Sequence, residues 1–201
     1  MMQSPSPASF ELLAHTGFFG PKTKVTISPE LISVHESGGF LQTIYWKDFD
    51  KIKYGAQGIN GYSFYIGTRR KIFIRDINNN EILLNLPSIY NIKSKLKQQQ
   101  FSQILDALYR HFLLSYIDKL LAETGEGKML TIGNVTIGPH SISYAVNGKM
   151  YEVVINNIVL REYRGYFYIQ DKTDPEKAVK VSFYEDWDAA ILFAVVKTKM
   201  Q

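Results

Sequence analysis

Val25-Thr26-Ile27-Ser28-Pro29-Glu30-Leu31-Ile32-Ser33 is written a second time 110 positions later, as Val135-Thr136-Ile137-Gly138-Pro139-His140-Ser141-Ile142-Ser143. Six of the nine positions are identical and no gap separates them. In both, apolar and polar residues alternate, a proline-centred turn follows, and the alternation resumes. Period two is the spacing of a strand with one buried face. Each copy therefore predicts two strands and a tight turn. Written twice within 201 residues, the unit predicts a tandem of one small domain.

Outward from this repeat, the first half reads as a series of short strands. Gly38-Gly39 supplies a hairpin turn, Phe40–Trp46 is the next strand, and Gly55–Gly61 reads as a loop. Tyr62–Ile66, Ile72–Ile77 and Ile82–Leu86 follow as strands, and Pro87-Ser88 ends the series. Consecutive short strands with tight turns imply an antiparallel meander. Apolar residues at three- and four-residue steps then predict a helix, starting near Ile89 and clearest over 101–122. Thr124-Gly125-Glu126-Gly127 stops it.

The second half repeats the order in shorter form. Val135–Ile137, Ile142–Val146, an Asn147-Gly148 hairpin and Met150–Ile155 are followed by Ile158–Tyr163, Gly165–Ile169 and Val179–Phe183. A last helix starts after Asp186-Trp187-Asp188. The domain reading is a tail and leading loop over 1–21, unit 1 over 22–122, a linker at 123–128 and unit 2 over 129–201.

Strands followed by one amphipathic helix, together with Ile44-Tyr45-Trp46-Lys47-Asp48-Phe49-Asp50-Lys51-Ile52, resemble the bacterial pleckstrin-homology-like (PH-like) and GRAM-like domains. The resemblance covers roughly residues 22–121 and 129–199; in the second copy Asn156-Asn157 stands where Lys47-Asp48 does. It implies an α+β protein of two antiparallel barrel or sandwich units, each closed by a C-terminal helix, the first helix long and shared. It also implies a binding role, because folds of this kind host many unrelated ones. Lipid-binding relatives grip phosphates with basic residues in the loop between the first two strands. The corresponding turns, Ser28–Leu31 and Gly138–Ser141, are short and not basic.

Composition narrows function further. There is no cysteine, which excludes disulfides and thiolate metal sites and permits a reducing cytoplasm, the expected location. Met1–Pro7 has neither a basic region nor an apolar core of signal length, and no run approaches 18 apolar residues. His15, His35, His111 and His140 share no metal-ligand spacing, and no nucleophile–base order can be nominated. No cofactor is expected, and the chain reads as non-enzymatic. The first alternative is peripheral binding to an anionic lipid or membrane surface through a basic hairpin, and the second is a small-ligand carrier or enzyme whose pocket forms between the units.

The net charge of +4 is uneven: residues 1–100 carry +5 and residues 101–201 carry −1. Thr68-Arg69-Arg70-Lys71 is the densest positive run and reads as a hairpin tip, with Lys47, Lys51 and Lys53 as extensions. These residues are the candidate contacts for anionic lipid or an acidic partner. Lys93, Lys95 and Lys97 read as the wet face of the helix start. The second unit lacks the charge that nucleic-acid binding requires, so that class is disfavoured. Leu113, Leu114, Ile117 and Leu121 lie outside the main helical stripe and predict an inter-unit or homo-oligomer interface. A protein partner of unknown identity is the leading expectation.

Overall fold

The computed structural model describes residues 9–16, 22–61, 64–90 and 92–201. The chain divides into two compact units, Met1–Leu114 and Ser115–Gln201. The loop expected at Gly17–Pro21, the tail Met1–Pro7 and residues Tyr62 and Ser63 lie outside the described residues.

In the first unit the period-two runs become β2 (Lys22–Ile27) and β3 (Leu31–Glu36), paired antiparallel with Val25 opposite Val34 and Ile27 opposite Ile32. All four of these side chains point inward and are at most 4% exposed. Burying such a side chain is worth about 1.5–3 kcal/mol, which fixes the register. β4 (Leu41–Tyr45) pairs with β3 on one side of this sheet, and β1 (Phe10–His15) pairs with β2 on the other. β1 corrects the reading of residues 1–21 as tail and loop. Ala14 on it is fully buried, while Leu13 is apolar yet 51% exposed, so the strand lacks a clean apolar–polar alternation.

A single 3-10 turn, Trp46–Asp48, leads to β5 (Phe49–Gly61), β6 (Phe64–Asp76) and β7 (Glu81–Ile89), a three-stranded antiparallel sheet. Three expectations are corrected here. Gly55–Gly61 is strand, because its backbone pairs with β6 from Lys71 onward. Thr68–Lys71 is not a hairpin tip but the middle of a 13-residue strand. Pro87-Ser88 does not end β7, since Pro87 needs no N–H on an edge strand. Gly67 sits where β6 and β7 approach so closely that a Cβ there would lie 2.0 Å from the Ser88 carbonyl oxygen.

The helix begins at Ser94, five residues later than its apolar spacing predicts. Tyr90 and Lys93 hold left-handed backbone before it. α1 (Ser94–Leu108) buries Ile104, Ala107 and Leu108, and packs on β7, β1 and β6. Gln100 ties the helix to β1: its side-chain amide donates to Leu13 O at 3.1 Å, and its oxygen accepts from His15 N–H at 3.3 Å. Lys97, expected on the wet face, is only 2% exposed, and burial together with Lys93 pulls its pKa below the usual lysine value. A π turn, Tyr109–Leu113, joins α1 to α2 (Leu114–Gly125). Leu113 and Ile117 are buried, Leu121 is half-buried and Leu114 is exposed.

The second unit follows the same plan. β8 (Leu130–Ile132), β9 (Val135–Ile137), β10 (Ser141–Val146) and β11 (Lys149–Val154) form a four-stranded sheet in that order. A 3-10 turn, Ile155–Asn157, precedes β12 (Ile158–Tyr163), β13 (Tyr166–Asp171) and β14 (Ala178–Ser182), a sheet of three. α3 (Ala189–Lys199) follows and buries Ile191, Leu192, Val195 and Val196. Phe193 on α3 meets Phe167 edge-on at 5.1 Å in this core.

The repeat extends to single hydrogen bonds. Ser28 N–H donates to Leu31 O as Gly138 N–H donates to Ser141 O, at 2.9 and 2.8 Å. Trp46 N–H reaches Glu30 O as Ile155 N–H reaches His140 O, both at 2.9 Å. Ile77 N–H reaches Asp48 O as Lys172 N–H reaches Asn157 O. Asn156-Asn157, which departs from the first copy in residue type, thus occupies the same turn as Lys47-Asp48. Each unit is α+β with antiparallel sheets of four and three strands. The sheets are open, so of the two expected forms, barrel or sandwich, the barrel is corrected.

Candidate functional site

The basic residues acquire a defined arrangement from the register of the first unit's three-stranded sheet. Along β6, Thr68, Arg70, Ile72, Ile74 and Asp76 point inward and are buried, so Arg69, Lys71, Phe73 and Arg75 point outward. Lys51 pairs with Arg75 and Lys53 with Phe73, and directly opposed residues share a face. The outer face therefore gathers Lys51, Lys53, Arg69, Lys71 and Arg75 around Phe73. The Lys53 and Lys71 ammoniums lie over the Phe73 ring at 5.2 and 5.3 Å from its centroid, a cation–π arrangement. Two carboxylates stand at its margins, both ion-paired: Asp50 with Lys51 at 3.4 Å and Glu81 with Arg75, whose Nε donates at 2.8 Å.

Of the candidate contacts, the register places Arg69, Lys71 and Lys51 on one face, spread along the strand. Lys47 stands apart on the 3-10 turn, its ammonium over the Tyr45 ring at 5.7 Å. Arg70 is corrected: it is 7% exposed and faces the interior, because strand alternation separates it from both neighbours. Phe73 and Arg75 were missed by sequence reasoning, although two-residue steps from Lys71 lead straight to them once the strand is known to be continuous. The Nε of Arg69 is buried and makes no hydrogen bond.

The matching face of the second unit has different chemistry. β13 presents Tyr166 and Tyr168 where β6 presents Lys71 and Phe73, as the shared turn residues Asp76 and Asp171 align them. Tyr163 stacks on Tyr166 at 5.2 Å and meets Tyr168 edge-on at 5.9 Å. Lys180 lies over the Tyr166 ring at 4.4 Å. This face carries three tyrosines with Arg161 and Lys180 beside Tyr168, where the other carries one aromatic ring among five cations.

Asp76 and Asp171 do corresponding work at the ends of β6 and β13. The side-chain amide of Asn80 and the N–H groups of Asn80 and Asn78 hold the Asp76 carboxyl below the usual carboxylate range. The N–H and hydroxyl of Thr173 do the same for Asp171, both at 2.8 Å. These are structural turns. His111 has a buried Nδ1 with no hydrogen bond, and His35 is exposed. Among the described residues, no cluster of three His, Asp or Glu is placed to hold a metal, and no helix is long and apolar enough to cross a membrane.

No family model matches the chain, and no curated protein matches it. Among solved structures it is similar to the Spt16D Pob3N heterodimer, over 89% of this chain and 96% of that one, with 9% identity and a TM-score of 0.27. A likeness at that level carries no argument about fold or function.

Proposed function

We propose that the chain is a non-enzymatic interaction module of two PH-like units, whose first unit receives an acidic segment of a protein partner on the outer face of β5, β6 and β7. The observation that carries this reading is the Lys53–Phe73–Lys71 arrangement, ringed by Arg69, Lys51 and Arg75. Its cations lie mid-strand on a pleated surface rather than on a projecting loop, so they form a slab along which an extended chain can lie. An acidic segment gains charge pairing along its length, and Phe73 offers an apolar contact at the centre. The two-unit, four-plus-three strand plan supports the PH-like assignment. Leu114 is exposed and is open to a further contact.

The test is fluorescence anisotropy with a labelled Asp/Glu-rich peptide, at two salt concentrations, on the full chain and on the Lys53→Glu/Lys71→Glu variant. Binding that weakens with salt and disappears in the variant is the expected result. The same pair of proteins is then offered to anionic vesicles and to a single-stranded oligonucleotide. Loss of binding there, with none to the peptide in either protein, would replace the protein partner by a lipid surface or a nucleic acid.

A further inference from the structure

The corner between the two turns of each unit is built alike and filled differently. In the first unit the Trp46 ring occupies it, stacked on Phe112 at 4.3 Å with the planes 7° apart, and its indole N–H donates to Ser28 O at 2.7 Å. Ile155 stands at the same position in the second unit, and the corner stays open as a hollow of about 210 Å³. Pro139, His140, Val154, Ile155, Asn156 and Lys199 line it. Gly138, the counterpart of Ser28, receives its hydrogen bond there from the Lys199 ammonium at 3.3 Å.

We propose that this hollow docks an aromatic side chain of a partner polypeptide that carries a carboxylate beside the ring. The ring takes the place that Trp46 fills in the first unit, and the carboxylate meets Lys199. The size fits one ring system, since pockets for larger ligands run to about 300–1,000 Å³. An ammonium has three donors, so the bond to Gly138 leaves Lys199 able to make others. Burial holds Lys199 below the usual lysine value, and an arriving carboxylate would favour its charged form. Lys172 stands nearby, its ammonium donating to Asn156 O at 2.7 Å. The adjacent acid, Glu152, accepts a hydrogen bond from the Ser141 hydroxyl at 2.6 Å. Val154 and Met150, 54% and 68% exposed, flank Glu152 on the outward face of β11, the edge strand of its sheet. An extended partner can follow that edge. Nothing in this site depends on the basic face of the first unit.

Titration of the full chain with N-acetyl-tryptophan, followed by amide resonances, tests the proposal. Saturable shifts are expected at His140, Ile155 and Asn156 at millimolar ligand, about −4 kcal/mol of binding at ~1 mM. N-acetyl-tryptophan amide and the Lys199→Met variant should each bind about tenfold more weakly, the loss of one charge pair. Ile155→Trp supplies the ring from the chain itself and should remove binding without lowering thermal stability. Val154→Glu, at an exposed position on the rim, should remove it too, and decides the matter if Ile155→Trp does not fold. No shifts up to the solubility limit, equal affinity for acid and amide, equal binding of N-acetyl-glutamate, or full binding by Val154→Glu would each overturn the proposal.

Discussion

The two units share a backbone plan down to individual turn hydrogen bonds, yet they differ at both places where a partner could be met. On the outer face of the three-stranded sheet, the first unit carries Lys71 and Phe73 where the second carries Tyr166 and Tyr168. At the turn corner, the first unit closes itself with Trp46 and the second stays open behind Ile155. The buried alternation is what both copies keep: Val25, Ile27 and Ile32 answer to Val135, Ile137 and Ile142, each at most 1% exposed. A repeated fold thus constrains its inward positions tightly and leaves its outward ones free to diverge. Function in this chain is to be sought in the differences.

The corner offers the sharpest way to break that comparison. Trp46→Ala removes a stacked ring and a hydrogen bond, and should cost about 4 kcal/mol in urea unfolding. Ile155→Ala loses less contact in an already open corner and should cost about 2 kcal/mol. Equal losses would show that the two corners are packed alike. Next in size is Gln100→Ala, which cuts both links between α1 and β1; its counterpart 95 positions on, Val195, is apolar and fully buried. A loss of about 1–2 kcal/mol is expected, read in the same way.

Acid should act on both units together. Asp76 and Asp171 have folded pKa values below that of a free aspartate. Their contribution to stability is therefore present above the free value, near 4, and is lost as pH falls through the lower folded values. Carboxyl titration by NMR should place both below an ordinary aspartate. If one copy titrated normally, its turn would not be held as its counterpart is. The smallest expected effect is on stability when faces are exchanged. Lys71→Tyr gives the first unit the residue found at Tyr166, and should change thermal stability by less than about 0.5 kcal/mol while weakening the acidic peptide. A large stability loss would mean that the basic face is structural.

Much of the architecture was legible because burial writes itself as period two. Val25–Ser33 and its copy, the hairpin at Asn147-Gly148 and the strand over Val179–Phe183 could be read directly. The misreadings along β5 and β6 share a cause. Gly55, Gly58 and Gly61 signal a loop locally, yet pairing along β6 carries them as strand, and a tertiary ladder overrides local preference. Reading Thr68–Lys71 as a tip followed from that error, because a run of charges looks like a turn when the strand through it is not recognised. Once β6 is one strand, Arg70 must face inward and Phe73 outward. Lys97 was missed for another reason: a lysine stem can be covered by neighbours that no spacing rule identifies. The open corner was invisible, since it depends on what Trp46 and Ile155 touch across the fold.

Gly67 carries a consequence for how this sheet can change. Any side chain at that position would meet the Ser88 carbonyl from the opposite strand, so the seam must part for even a methyl group to enter. The damage would appear just where β7 gives way to the chain leading into α1, with Tyr90 N–H bound to Ile66 O at 2.7 Å beside it. Amide exchange at Tyr90 would then report, as a local zipper pull, whether the last rungs of the ladder open before the rest of the unit melts.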